Sequence, residues 1–190
     1  MLTPTPGEER VVVAKFGRRA FEQTFTFPDG KKEEFFLVGA GKTAEAFSPP
    51  TIILPVTADR NVVAIRQYRY AAQEVLSEIP GGNPKKATDD AAEVGIAELV
   101  EETGFVPERV INLGGGYWFD PASWRAHFNA FLALDCRKEK EPKLDRGEFL
   151  EQFEVPLDEW IAMILRGEIK DAKTILVTFL ALPHLGLSIS

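Results

Sequence analysis

Glu98, Glu101 and Glu102 lie three and four residues apart, so on a helix their carboxylates share one face. They fall in the last turns before Gly104, where the helix dipole is negative and disfavours further negative charge. No Lys or Arg lies between Lys86 and Arg109 to relieve them. Each unfavourable term costs about 0.3–1 kcal/mol, and a bound divalent cation reverses the sign. Hard ions such as Mg²⁺ take carboxylate oxygens, keep several waters and bridge to phosphates; Mn²⁺ can substitute. A solvated acidic face on a surface helix would carry the same residues. The clustering, the missing cations and the loop Pro80–Pro84 just ahead of the helix favour a metal platform.

The elements that must hold this platform are legible in outline. The helix reads as Thr88–Thr103, with Thr88 as N-cap, Asp89 and Asp90 in the first turn, an apolar stripe of Ala92, Ile96 and Leu99, and Gly104 as a left-handed stop. Ahead of it, Val11–Val13, Phe21–Phe27 and Glu34–Val38 read as strands, the last two joined through the turn Pro28–Gly30. Thr51–Val56 and Val62–Arg66 read as two more, joined by Thr57–Asn61. Beyond the helix, Val110–Leu113, Ala126–Leu134 and Phe149–Val155 read as strands, and Leu157–Arg166 and Asp171–Leu182 as helices. Gly114–Pro121 reads as a glycine-rich loop, and Arg137–Gly147 as a charged one. The pattern is a mixed α/β (α+β) domain.

Composition narrows the classes. The 190 residues suffice for one domain with a core, or for a domain with a small appendage. The net charge is −7 and no stretch is strongly basic, which argues against nucleic acid as partner. An acidic protein can still take a phosphorylated small molecule if a cation sits between the two sets of charge. Cys136 is the only cysteine, so an internal disulfide is excluded. The first ten residues lack a basic start and apolar run, and no apolar run is long enough for a membrane span. The expectation is a cytoplasmic protein with no membrane partner.

Glu78–Gly82, followed by a helix ending Glu98–Phe105, resembles the Nudix box, in which Gly and Glu precede Arg-Glu-apolar-x-Glu-Glu-x-Gly-apolar at fixed spacing. Gln67–Arg69, Gly147–Glu151 and Asp171–Thr174 are similar to the branch that hydrolyses ADP-ribose and other nucleoside diphosphate sugars. The resemblance spans about Thr51 to Leu182. It implies an α/β/α sandwich with a mixed sheet over residues 49–190. It further implies an N-terminal antiparallel β extension over 1–48, serving dimerisation and base binding in a homodimer.

By position, the resemblance makes Glu98 and Glu102 metal ligands, with Glu101 ligating or positioning and the Gly81 carbonyl adding an oxygen. Arg69 would contact the diphosphate. Glu78 would orient Arg69, join the metal network or serve structure alone. Glu148 is the expected general base, with Asp145 and Glu151 as rivals. The implied reaction is Mg²⁺-dependent cleavage of a nucleoside diphosphate sugar, ADP-ribose giving AMP and ribose 5-phosphate. The alternative is a non-catalytic Nudix-fold module that binds a nucleotide or a protein. Two departures bear on it. Thr88 stands where the box has its first Glu, with Asp89 one position on, and Ala97 stands where it has Arg. The two losses are expected to compensate, with the helix held by its apolar stripe.

Tyr117 and Trp118 could stack on the base or cover the sugar, or else anchor their own segment in the core. His127 sits among apolar residues and has no partner at zinc spacing. Cys136 has no nearby His to activate it.

Overall fold

The structure, a computed structural model, describes residues 1–41, 47–86, 89–144 and 149–187. In chain order the strands are β1 (Thr5–Lys15), β2 (Arg18–Thr26), β3 (Lys32–Ala40), β4 (Thr51–Thr57), β5 (Asn61–Arg69), β6 (Glu74–Glu78) and β7 (Gly81–Gly82). Helix α1 (Ala91–Thr103) follows, then β8 (Phe105–Val106), β9 (Arg109–Asp120), β10 (Trp124–Lys138) and β11 (Leu150–Pro156). Helices α2 (Leu157–Leu165) and α3 (Ala172–Ala181) close the chain with a short 3-10 turn at Leu182–Leu185. No helix among the described residues is long and apolar enough to cross a membrane.

The chain divides into two units: Met1–Pro49 with Trp118–His127, and Pro50–Tyr117 with Phe128–Ser190. In the first, β1, β2 and β3 form an antiparallel meander, and the first residues of β10 join β3 in parallel, Trp124 opposite Val38. The β2–β3 turn closes through Gly30, whose φ of 82° suits glycine and whose amide donates to the Phe27 carbonyl at 2.9 Å. Strand β1 begins at Thr5, ahead of the Val11–Val13 run that marks it in the sequence. Nearly all its side chains are exposed, so pairing with β2 rather than an apolar face makes it a strand. Inside this unit Arg19, only 2% exposed, bonds the Ala40 carbonyl at 2.6 Å and meets Glu9 at 3.3 Å. Arg125 also pairs with Glu9, and the Phe21 ring lies within 5.0 Å of both guanidinium groups.

The second unit is built on β4, buried from Thr51 through Val56. A continuous apolar run of this kind needs cover on both faces. Thr51 and Ile53 face α1, where Gly95 lets the helix approach; a Cβ there would meet Thr51 Cγ2 at 2.7 Å. The Thr51 hydroxyl donates to the Ala91 carbonyl at 2.8 Å. Ile52, Leu54 and Val56 alternate to the other face, and α3 also packs on β4. Strand β10 runs parallel to β4, while β5 runs antiparallel to it and to β6 and β11, so the sheet is mixed, as expected. On the α1 side the core gathers Ile53, Val63, Leu99, Phe105, Phe131 and Cys136. Trp160 of α2 is fully buried and its indole N–H donates to Thr178 of α3 at 3.0 Å.

Three local readings need correction. The N-cap of α1 is Asp90, whose carboxylate accepts from the Ala92 and Glu93 amides at 2.9 and 3.1 Å; Thr88 lies outside the described residues. Asp89 sits before the helix and accepts from the Lys86 amide at 2.7 Å. The stretch Gly114–Asp120 is the second half of β9 rather than a loop, because β10 supplies its backbone partners. Strand β6 carried no alternation strong enough to be read in advance.

Candidate active site on helix α1 and the Gly81–Gly82 strand

Gly81 and Gly82 pair with Ile52 and Thr51 of β4. This brings a side-chain-free backbone against the acidic face of α1. Glu102 is 5% exposed and accepts from the Gly81 amide at 3.3 Å. Glu98 turns toward Gly82; a Cβ there would lie 2.2 Å from its carboxylate carbon. Glu101 is more open, with Lys85 Nζ 4.0 Å from Oε2. The segment between Lys86 and Arg109 holds no cation, and this one comes from the loop ahead of the helix. The helix stops at Gly104, φ 77°, whose amide bonds the Val100 carbonyl.

The donor set suits a hard cation. It consists of carboxylate oxygens alone, and glycine at 82 leaves the space a carboxylate needs. Among the described residues no three His, Cys, Asp or Glu side chains are gathered into a group that could by itself hold a metal ion. An open set that leaves positions to water and phosphate oxygens is the usual way Mg²⁺ is held. Glu98, Glu101 and Glu102 match such a cation in donor type. The contact shown by Gly81 is made by its amide rather than its carbonyl.

Beside this face lies a bidentate pair. Arg69, at the end of β5, donates from Nε to Glu78 Oε1 at 2.6 Å and from Nη2 to Oε2 at 2.7 Å. Glu78 is 1% exposed while the Arg69 side chain is 40% exposed, so the acid is buried and the guanidinium reaches solvent. The Glu78 hydrogen bonds raise the Arg69 pKa, with Asp171 and Glu102 adding to the effect. Lys173 Nζ lies 3.6 Å from Glu78 Oε2 and also pairs with Asp171. Asp171 caps α3 through the Thr174 amide at 2.9 Å, and the Thr174 hydroxyl oxygen accepts from the Ile79 amide at 3.2 Å. Burial opposes the Asp171 charge, but Lys173 and Thr174 outweigh it and hold the carboxyl below its ordinary range.

The remaining expected residues are placed as follows. Glu148 and Asp145 lie outside the described residues. The Phe149 carbonyl accepts from the Tyr68 amide at 3.4 Å, so the chain just after Glu148 rejoins the sheet next to Arg69. Glu151 is exposed on β11, opposite Arg66. Tyr117 donates its hydroxyl to the Leu113 carbonyl at 2.8 Å and packs on Phe128. Trp118, the next residue on β9, belongs to the other unit, is 51% exposed and lines a cleft of about 400 Å³ with Phe25, Phe27, Phe35, Trp124 and Arg125. His127 packs edge-on against Phe47 and Trp118. Cys136 is buried, which pushes its thiol up to about 12 and leaves it unreactive.

Ala97 is exposed and lines a cleft of about 200 Å³ with Asn83, Lys85, Asp89 and Glu93. Glu98 and Glu101 line the same cleft, so an Arg there would stand in solvent beside acids. Of the stripe thought to hold the helix, Leu99 is buried but Ala92 and Ile96 only partly, and Val94 and Gly95 complete the packed face. Sequence reasoning missed Lys173 and Gly82. Lys173 lies in the flanking motif Asp171–Thr174, noticed without a role because its partner Glu78 is far away in the chain.

The comparisons agree with this geometry. The NUDIX domain family model matches residues 47–176, more than half of the chain. A curated relative, "ADP-ribose pyrophosphatase" of Bacillus subtilis (strain 168), is 28% identical over 123 residues, 64% of this chain and 65% of its own length. Another, "Methanol dehydrogenase activator" of Bacillus methanolicus, is 31% identical over 127 residues, 65% of this chain and 66% of its own length. The match thus spans just under two thirds of each curated relative. A solved structure described as an ADP compounds hydrolase superposes with a TM-score of 0.80 at 19% identity, covering 98% of this chain and 96% of that one, which shows a shared fold. With the glycine-flanked acidic helix, the mixed sheet and a family match across the whole of the site, the chain belongs to the NUDIX domain family.

Proposed function

We propose that this chain is a Mg²⁺-dependent hydrolase that cleaves the diphosphate of a nucleoside diphosphate sugar, with ADP-ribose giving AMP and ribose 5-phosphate as the leading case. The carrying observation is the convergence of Glu98 and Glu102 on the Gly81–Gly82 strand, beside an Arg69 fork held by Glu78. The names of the Bacillus subtilis relative and of the structural neighbour support an ADP-containing substrate. Glu98, Glu101 and Glu102 would hold Mg²⁺, or Mn²⁺ in its place. The cation, when bound, neutralises the diphosphate and stabilises charge developing on it. Arg69 binds phosphate oxygens through the N–H groups that Glu78 does not use. Glu148 is the proposed base that takes a proton from the attacking water. The first unit, with its aromatic cleft at Trp118, is proposed to hold the base and to pair in a homodimer, and Tyr117 is proposed as a further substrate-binding ring. A small nucleotide substrate and a lone buried cysteine are consistent with a cytoplasmic setting.

The test is a panel of nucleoside diphosphate sugars, dinucleotides and triphosphates assayed with Mg²⁺ and with chelator, with products identified. Monophosphate release from the diphosphate sugars supports the proposal. Pyrophosphate release from triphosphates, at a higher rate, contradicts it.

A further inference from the structure

The segment Asp171–Thr174 touches the site at two points, and neither is accounted for by the chemistry above. The Ile79 amide donates to the Thr174 hydroxyl oxygen at 3.2 Å, tying the backbone next to Glu78 to the first turn of α3. Lys173 Nζ stands 3.6 Å from Glu78 Oε2, the oxygen that also accepts from Arg69 Nη2. The ammonium is in turn fixed by Asp171, which is itself committed to capping α3. Lys173 is mostly buried, its side chain 21% exposed. Glu78 thus has two cationic neighbours that meet at Oε2, one reaching solvent and one anchored in the fold.

A buried carboxylate with one cationic partner can rotate about its terminal bond and still satisfy that partner. A second cation at a fixed place selects one rotation. The plane of the Glu78 carboxylate then sets the plane of the Arg69 guanidinium, because the bidentate pairing is planar. Arg69 keeps the rest of its fork for an anion, and the direction of that fork is dictated from α3. We infer that Lys173 is a positioning residue. By orienting Glu78 it aims the outward N–H groups of Arg69 at the phosphate oxygens of a nucleoside diphosphate. The inference rests on the proposed substrate class and assigns no contact between Lys173 and the substrate.

Binding is measured by calorimetry with ADP-ribose in the absence of divalent cation, and turnover separately with Mg²⁺. Lys173→Met is expected to weaken binding and raise KM about tenfold, with kcat changed less than about threefold, since orientation of one charge-assisted contact is lost. Lys173→Arg should recover most of the affinity. In a cycle with Arg69→Lys, which removes the fork, the Lys173→Met effect should largely disappear. Should Lys173→Met fail to fold, Lys173→Gln, which keeps a donor for Asp171, carries the same expectation. Unchanged binding and KM in a folded variant, or effects additive with Arg69→Lys, would overturn the inference. Wild-type binding without turnover would overturn the hydrolase reading alone, and absence of both wild-type binding and wild-type turnover with Mg²⁺ would overturn both.

Discussion

At the residue scale the site depends on an atom that is missing. A Cβ at position 82 would fall 2.2 Å from the Glu98 carboxylate, and the obstructing group is the mobile end of a side chain rather than backbone. Gly82→Ala should therefore fold with little change in melting temperature, since Glu98 can swing aside. Turnover should fall by about tenfold or more, because the carboxylate leaves the position where a cation needs it. A variant with full activity would remove Glu98 from the metal set. Asp171 gives a pH test at the same scale. Its carboxyl is held below the ordinary range in the folded state, so its stabilisation is present above the unfolded value of about 3.9 and is lost as pH falls through the folded value. Asp171→Asn should be less stable than the wild type at neutral pH, and its stability should fall less steeply in acid. Denaturant midpoints at a series of pH values measure both, and parallel curves would contradict the assignment.

At the scale of elements, α1 is fixed at its ends by local chemistry and in its middle by contact. Gly104 closes it with φ 77°, and a Cβ there would lie 2.0 Å from the Lys140 carbonyl oxygen. Gly104→Ala should cost about 1–3 kcal/mol through backbone strain, plus whatever the displaced segment loses, read as a lower denaturation midpoint. Helix α1, its stop and the β2–β3 turn were legible in the sequence because their signals lie within a few residues. The acidic face was legible for the same reason, its carboxylates being one helical turn apart. What was not legible depends on distant partners. Strand β6 exists because β5 pairs with it, and the glycine run in β9 is extended because β10 lies alongside. The α1 cap fell on Asp90 instead of Thr88, a choice among neighbouring cap formers that composition alone does not decide. Lys173 joined the site through Glu78, a partner supplied by the packing of α3 against the sheet.

At the scale of the whole molecule, an acidic chain of net charge −7 would have to bind the proposed anionic substrate against its own charge. Arg69 and Lys173 offset two acids locally, and the cation proposed on the α1 carboxylates would supply the rest, so substrate affinity should depend strongly on divalent ions. The departures at Ala97 and Asp89 fall at an open cleft that Glu98 and Glu101 also line, and they leave the Glu102–Gly81 contact and the Arg69–Glu78 pair in place. Ala97→Arg alone should give no gain in activity, since an exposed ion pair contributes little and the guanidinium would share the cleft with Glu98 and Glu101; a large gain would show that the altered box limits the rate. The most direct measurement is AMP release from ADP-ribose in Mg²⁺ by the wild type and by Glu102→Gln, with the fold of both checked by circular dichroism. The expected result is metal-dependent AMP and ribose 5-phosphate from the wild type and a loss of about 100-fold or more in a folded Glu102→Gln. Equal AMP release by both proteins would contradict the assignment of α1 as the metal platform.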